Sequence, residues 1–486
     1  MKTTLITSLA LAGWTVAAAV PATTNPAPAA AARDVFSAGA DFRVRQEIMD
    51  NLPGMPGDAY SATPALRAKY RNQIRFRPRV WFAAETGPFR LYARVTDEFR
   101  EYPTLHTPRR ERAYNFPDEV FLDNLYLEGK GLSLAGFESV DFRVGRQDLM
   151  EGGHSIYGLD RILVEGTPTD GSRNFYSDMV RATFHFDAEK KLDVFALYDS
   201  GRNDLRWGNS RSRGRSLNCI NMSDTTDLDE WGGGFVYSQR ACDGDLPFKV
   251  YSIFKRDEAH TTQKPTPRHV SAKERTTIGV YLEPRLTDNW DFELEAAQQV
   301  GRIVDSGRFA GGTMAHAAVN YRLDTWRSYR PTLTWATTYY SGDSDRTKDG
   351  AADHAWDPVW ARYTQDSEML VYGSLYENCR WTNLIYSKLR FSMAFGPHHA
   401  LYVYTGPMFA AVKDGLGHAD GGGDAFKGLL TAARYDFPIR LAPKGAEGLD
   451  RFEVFAHVVG ELFNPGNYYE SDKPAFFVRW QVDFRF

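Results

Sequence analysis

From Gly39 onward apolar and polar side chains alternate in short runs, the pattern of strands with one face in an apolar medium and the other in water. In 72–82, Ile74, Phe76, Val80 and Phe82 share one face while Gln73, Arg75, Arg77 and Arg79 share the other. The segment 89–99 repeats this, with Phe89, Leu91, Ala93 and Val95 opposite Arg90, Tyr92, Arg94 and Thr96. Val180, Ala182 and Phe184 alternate with Arg181, Thr183 and His185, and Trp290, Phe292 and Leu294 with Asp291, Glu293 and Glu295. The last run sets Phe476, Val478, Trp480, Val482, Phe484 and Phe486 against Phe477, Arg479, Gln481, Asp483 and Arg485.

Beyond the runs from Gly39, 72–82 and 89–99, the pattern predicts strands near 119–129, 137–147, 174–187, 191–200, 230–240, 247–257, 274–285, 289–301, 312–324, 329–341, 382–395, 399–411, 426–438, 450–462 and 475–486, about eighteen in all. Two are poorly phased: 119–129 and the Gly-rich 230–240. Pro78 sits within a strand and predicts an edge or a bulge.

The connections alternate in length. Thr86-Gly-Pro88, Gly129-Lys-Gly131, Asp187-Ala-Glu189, Leu286-Thr-Asp288 and Gly396-Pro-His398 follow even-numbered strands, while most odd-numbered ones lead into long polar segments such as 148–173 and 342–381. Only Pro438 to Asp450 is longer than this rule wants. A soluble sandwich has no reason to keep that parity, whereas outer-membrane barrels have short periplasmic turns and long outer loops. The expected fold is all-β: a single transmembrane antiparallel up-and-down barrel with both termini at the periplasmic face.

Residues 1–32 read as a secretory signal, with Lys2, the apolar stretch Leu5 to Val16, and cleavage after Ala19 or Ala32. The barrel then occupies 33–486, with no room before it for a plug domain. Beyond the signal no stretch approaches eighteen apolar residues, which excludes membrane-spanning helices. A net charge of −4 gives no basic field for nucleic acid. Of the three cysteines, Cys219 and Cys379 fall on the outer side and Cys242 on the periplasmic side, so any bridge would join Cys219 to Cys379.

The residues Gly145-Arg-Gln-Asp148, Leu159-Asp-Arg161, Glu165-Gly-Thr-Pro168, Asp170-Gly-Ser-Arg173 and Asp178-Met-Val-Arg-Ala182, with the tail Phe463-Asn-Pro-Gly-Asn-Tyr-Tyr469, resemble the alginate export family of outer-membrane channels. That resemblance implies an eighteen-stranded barrel passing an anionic polysaccharide, with periplasmic export or uptake partners.

Within the barrel, the alternation turns Arg43, Arg45, Arg75, Arg77, Arg79, Arg90, Arg94, Arg143 and Arg181 toward the lumen. Guanidinium is always charged and its planar fork matches carboxylates, so a uronate oligo- or polysaccharide could be handed along such a wall. Equally, these arginines could pair with the inward Asp41, Glu47, Glu98 and Asp141. Arg146, Asp148, Arg161, Asp170 and Arg173 lie on or beside a loop that could fold inward as a constriction, or could simply be tied by its own turns and ion pairs. No HExxH, GxSxG, P-loop or paired cysteines at zinc spacing occur, so neither catalysis nor a metal or other cofactor is expected. Asp353-His-Ala-Trp-Asp357 reads as a polar turn in a long outer loop. An outer-membrane enzyme or a loop-based surface-binding barrel is the alternative.

Overall fold

In the computed structural model, the described residues are 35–51, 70–101, 103, 120–151, 154–163, 177–199, 206–207, 229–240, 246–262, 268–344, 352–360, 367–369, 382–413, 424–439, 453–468 and 473–486. They form a closed antiparallel barrel of 18 strands with up-and-down order. The strands are β1 (Val35–Asp50), β2 (Tyr70–Thr86), β3 (Phe89–Asp97, resuming at Phe99–Glu101), β4 (Val120–Leu132), β5 (Ser139–Gln147), β6 (Ser177–His185), β7 (Lys190–Asp199), β8 (Glu230–Gln239) and β9 (Phe248–Asp257). They continue with β10 (Lys273–Leu282), β11 (Trp290–Ile303), β12 (Thr313–Arg322), β13 (Thr332–Tyr340), β14 (Leu384–Gly396), β15 (His399–Phe409), β16 (Phe426–Ile439), β17 (Glu453–Pro465) and β18 (Ala475–Arg485). β18 pairs with β1 from Asp41 opposite Arg485 to Asp50 opposite Phe476, and this seam closes the sheet.

The alternation sets the two faces. Val80, Phe82, Leu91, Leu127, Val144, Val180, Ile278, Val300, Leu389, Val478 and Trp480 are exposed on the outer wall. A soluble protein would hide them; around a barrel they form the band that faces lipid. Near the short turns this band ends in aromatic rings: Phe89 and Phe142, Phe186 and Tyr237, Tyr237 and Phe248, Trp290 and Tyr321, and Phe395 and Tyr435 have centroids 4.6–6.5 Å apart. Such girdles sit at membrane interfaces.

Three local irregularities explain the weak sequence signals. In β4, Arg94 pairs with Asn124 but Val95 with Leu122, so Asp123 is an extra residue and both Asp123 and Asn124 are buried. The hairpin after β4 also differs from expectation: the strand runs on to Leu132, past the turn expected at Gly129-Lys-Gly131, and Asp141 accepts the Gly131 N–H at 2.7 Å. At Pro78, which has no N–H, the β2–β3 ladder lapses between the Arg79–Thr96 and Phe76–Phe99 pairs, and β3 breaks at Glu98. In β8, a Cβ on Gly232 would lie 2.1 Å from the Phe254 carbonyl and 2.9 Å from the Trp360 ring, so the missing side chain allows both close strand pairing and a seat for a loop.

That loop is one of two that enter the barrel among the described residues. After β5, Leu149, Tyr157, Leu159, Ile162 and Leu163 are buried in one cluster with Phe195, Leu197, Val236, Tyr251 and Ile253 of the inner wall. After β13, Trp356, Val359 and Trp360 join the same cluster, and the Trp360 N–H donates to the Ile162 carbonyl at 3.2 Å. The core of this molecule therefore lies inside the barrel. Pro438 to Asp450 and the three cysteines lie outside the described residues, apart from Pro438 and Ile439 in β16.

Candidate functional site

Register stacks the arginines of β1 and β2. Arg43 lies opposite Arg77 and Arg45 opposite Arg75, while Asp41 faces Arg79 and Glu47 faces Gln73. On its other side β1 meets β18, so Arg43 faces Asp483 and Glu47 faces Arg479. Like charges directly across a sheet repel, and carboxylates placed between the rows offset this. Asp41 takes Arg79 Nε at 2.8 Å and Arg77 at 3.8 Å. Glu47 takes Arg45 at 3.1 Å, Arg75 at 3.4 Å and Arg479 at 3.7 Å. Glu98, at the break opposite Pro78, receives Arg75 and lies 3.9 Å from Arg43. Farther round, Arg94 bonds Asp123 and Asp148, each at 2.9 Å.

The pairing with Asp41, Glu47 and Glu98 is therefore present, but Asp141 takes His185 at 3.2 Å while Arg143 pairs with Glu128 and lies 4.1 Å over the Tyr126 ring. Arg181 stands opposite Arg143 in register. Arg90 pairs with Glu85 at 3.2 Å beside a short turn. Arg146 departs from expectation. Gly145 has φ +122° and its missing Cβ would lie 2.2 Å from the Leu125 carbonyl, and beyond it Arg146 falls opposite the outward Leu125 and Asp178 and bonds Asp178 at 2.9 Å. It belongs to the outer wall. Asp170 and Arg173 lie outside the described residues.

Arg161 does enter the lumen, carried by the loop after β5. Its guanidinium lies 3.3 Å from Glu295, 3.8 Å from Glu293 and 2.7 Å from His316 Nε2, on β11 and β12. Burial would lower its pKa, but Glu295 and Glu293 outweigh that and raise it above the usual arginine value. Lys249 of β9 fixes the same loop by donating to the Gly158 carbonyl at 2.9 Å. The described part of this loop thus lies inside the barrel, with its cation spent on a carboxylate wall.

The loop after β13 is anchored more firmly. Asp353 accepts from Lys273 at 2.6 Å and Arg275 at 2.9 Å; Asp357 lies 3.0 Å from Arg275 and 3.5 Å from Lys255. Gln299 adds two bonds to the Asp357 backbone, at 2.7 and 2.9 Å. Burial would raise the Asp357 carboxyl, but Lys255 and Arg275 hold it well below the usual carboxylate range; Asp353 is likewise raised by burial but lowered on balance by Lys273 and Arg275. These two aspartates, read above as a polar turn, are anchors. The wall cations Lys255, Lys273 and Arg275 escaped the sequence reading, although Lys255 and Arg275 alternate in phase with the inward Glu230 and Asp257.

No family model matches the chain, and no curated protein does. Solved structures do. OccAB1 of Acinetobacter baumannii aligns over 93% of this chain and 96% of its own, with a TM-score of 0.53 and 10% identity. OpdK of Pseudomonas aeruginosa with vanillate aligns over 92% and 98%, at 0.51 and 9%. OccK2 (OpdF) of the same organism in complex with glucuronate aligns over 92% and 96%, at 0.50 and 9%. The fold is that of the Occ porins. It is an outer-membrane barrel. The resemblance to the alginate export family rests on its motif residues alone.

Proposed function

We propose that this chain is an outer-membrane channel admitting small molecules that carry a carboxylate, of the size of a uronate or an aromatic acid. The observation that carries the reading is the stacked guanidinium rows Arg79, Arg43 with Arg77, and Arg45 with Arg75, held on rigid strands with their carboxylate partners. Paired arginines are pre-oriented donors, and a carboxylate can exchange between the forks with exposed surface, Arg79 and Arg94, while the buried Arg43, Arg45 and Arg75 supply positive charge behind them. The glucuronate and vanillate of the two neighbours named above are both of this class.

The two inward loops favour small solutes over passage of an alginate-like polysaccharide, because Tyr157, Trp356 and Trp360 occupy space between the walls. We also read the barrel as a conduit and not an enzyme, since its charged groups are set in rows along the wall. The test is planar-bilayer conductance with glucuronate as the added anion. Anion preference, with ion current reduced by millimolar glucuronate, is expected. Lack of conductance, with turnover of a lipid or glycan, would favour the enzyme or surface-binding alternative.

A further inference from the structure

We infer that Glu461 and Arg479 set the width of this channel by fastening residues 367–369 to the wall of β17 and β18; the inference rests on the channel reading above. The loop after β13 meets two walls. Residues 353–360 lie on β9, β10 and β11, through Asp353, Asp357 and the paired backbone bonds to Gln299. Backbone bonds to Phe309 and Gly311 fix this end further. Residues 367–369 lie on β17 and β18, eight strands on in a barrel of 18, so the same loop touches both sides.

The second attachment is of a different kind. A single carboxylate, Glu461, accepts the Ser367 hydroxyl at 2.5 Å, the Glu368 N–H at 2.8 Å and the Met369 N–H at 3.0 Å. The Glu368 carboxylate in turn meets Arg479 at 3.0 Å. Beneath this segment Arg479 and Glu47 have no exposed surface, and Arg45 has 2%. The fastened segment thus ends on Arg479, whose neighbour Glu47 holds Arg45 and Arg75, and its release would both widen the lumen and open that end of the guanidinium rows. Three donors converge on one acceptor, so Glu461→Gln keeps the shape while turning an N–H₂ group toward N–H donors that need an acceptor.

The test uses the full barrel with Cys219, Cys242 and Cys379 changed to serine and Arg45→Cys added, in detergent and in bilayers. Glu461→Gln is expected to raise the rate of Arg45→Cys labelling by a charged thiol reagent about tenfold, as loss of charge-assisted bonds allows. Ser367→Ala, which leaves the carboxylate in place, gives a smaller rise. A Ser367→Cys, Glu461→Cys pair on the same serine background but with Arg45 intact, oxidised, keeps wild-type conductance, and reduction raises conductance and the passage of a uronate disaccharide. An unchanged labelling rate in folded Glu461→Gln overturns the latch whatever the conductance. A raised rate in a barrel that never conducts upholds the latch and overturns the channel.

Discussion

The arginine wall of β18 and β1 to β3 and the wall of β9 to β12 both carry dense charge, yet they are built differently. On the first, partners are neighbours in register: Arg79 meets Asp41 and Arg479 lies opposite Glu47 because adjacent strands bring them together. On the second, much of the charge is answered from elsewhere in the chain, Arg275 by Asp353 and Asp357 and Glu295 by Arg161. The first wall pairs most of its charge within the sheet, and among the described residues the loops add to it only at Arg479 and Arg94. The second is complete only when two loops have entered the barrel, and this difference makes one wall a fixed surface and the other a docking surface.

The largest effect should come from the docking wall. Arg275→Ala leaves Asp353 and Asp357 buried beside lysines alone; breaking a buried pair costs about 3–5 kcal/mol, here expected as loosening of the loop. Limited proteolysis within the loop after β13 should accelerate while the heat-resistant barrel persists. If the barrel itself fails to assemble, the loop and wall are not separable.

Next is selectivity, where the walls should act with opposite sign. Replacing Arg75, Arg77 and Arg79 together by Gln should shift the reversal potential toward cations, and replacing Glu293 and Glu295 by Gln should shift it toward anions, each by roughly threefold or more in permeability ratio at low salt. Shifts of the same sign would mean that the two walls do not act on permeating ions with opposite charge.

A third change bears on strand and loop together: a side chain in Gly232→Val meets the Phe254 carbonyl as well as Trp360, at about 1–3 kcal/mol for overpacking. Tryptophan fluorescence should report a more solvated indole, with no change in the arginine-wall selectivity.

The smallest effect concerns pH. Asp353 and Asp357 have pKa values depressed in the folded state. Their contribution is therefore full above the unfolded value, near 3.9, and is lost as pH falls through the lower folded value. Protection of residues 353–360 from proteolysis should stay level from neutral pH to about pH 4. Loosening of the loop at pH 5 to 6 would mean that these aspartates are not its anchors.

The same contrast explains what could be read in the sequence. Period-two alternation fixes which side chains face inward, so Arg43, Arg75, Arg79 and Arg94 were assignable without knowing any partner. It fails where the backbone departs from that period, as where the extra residue Asp123 blurs β4, whereas Arg146 follows the alternation from Arg143 to the outer face. It fails again at Gly232, where the informative side chain is an absent one. The docking role of Asp353 and Asp357 was illegible for another reason, since their cations lie 78 to 102 positions away and nothing local distinguishes an anchoring aspartate from one in a solvated turn.

The seam between β1 and β18 bears on how the barrel is made. Its first strand can find its second partner only when the last residues are available, since Ala40 and Phe486 exchange backbone bonds across it. Until then both edges are open templates for wrong pairing, and so distant a closure is slow. Registration, however, has a built-in check. Sliding β18 by one residue would turn Arg479, Gln481 and Asp483 outward among lipid tails and Trp480 inward among guanidinium groups. The charges that line the passage thus also act as a proofreading key for the final joining of the chain's two ends.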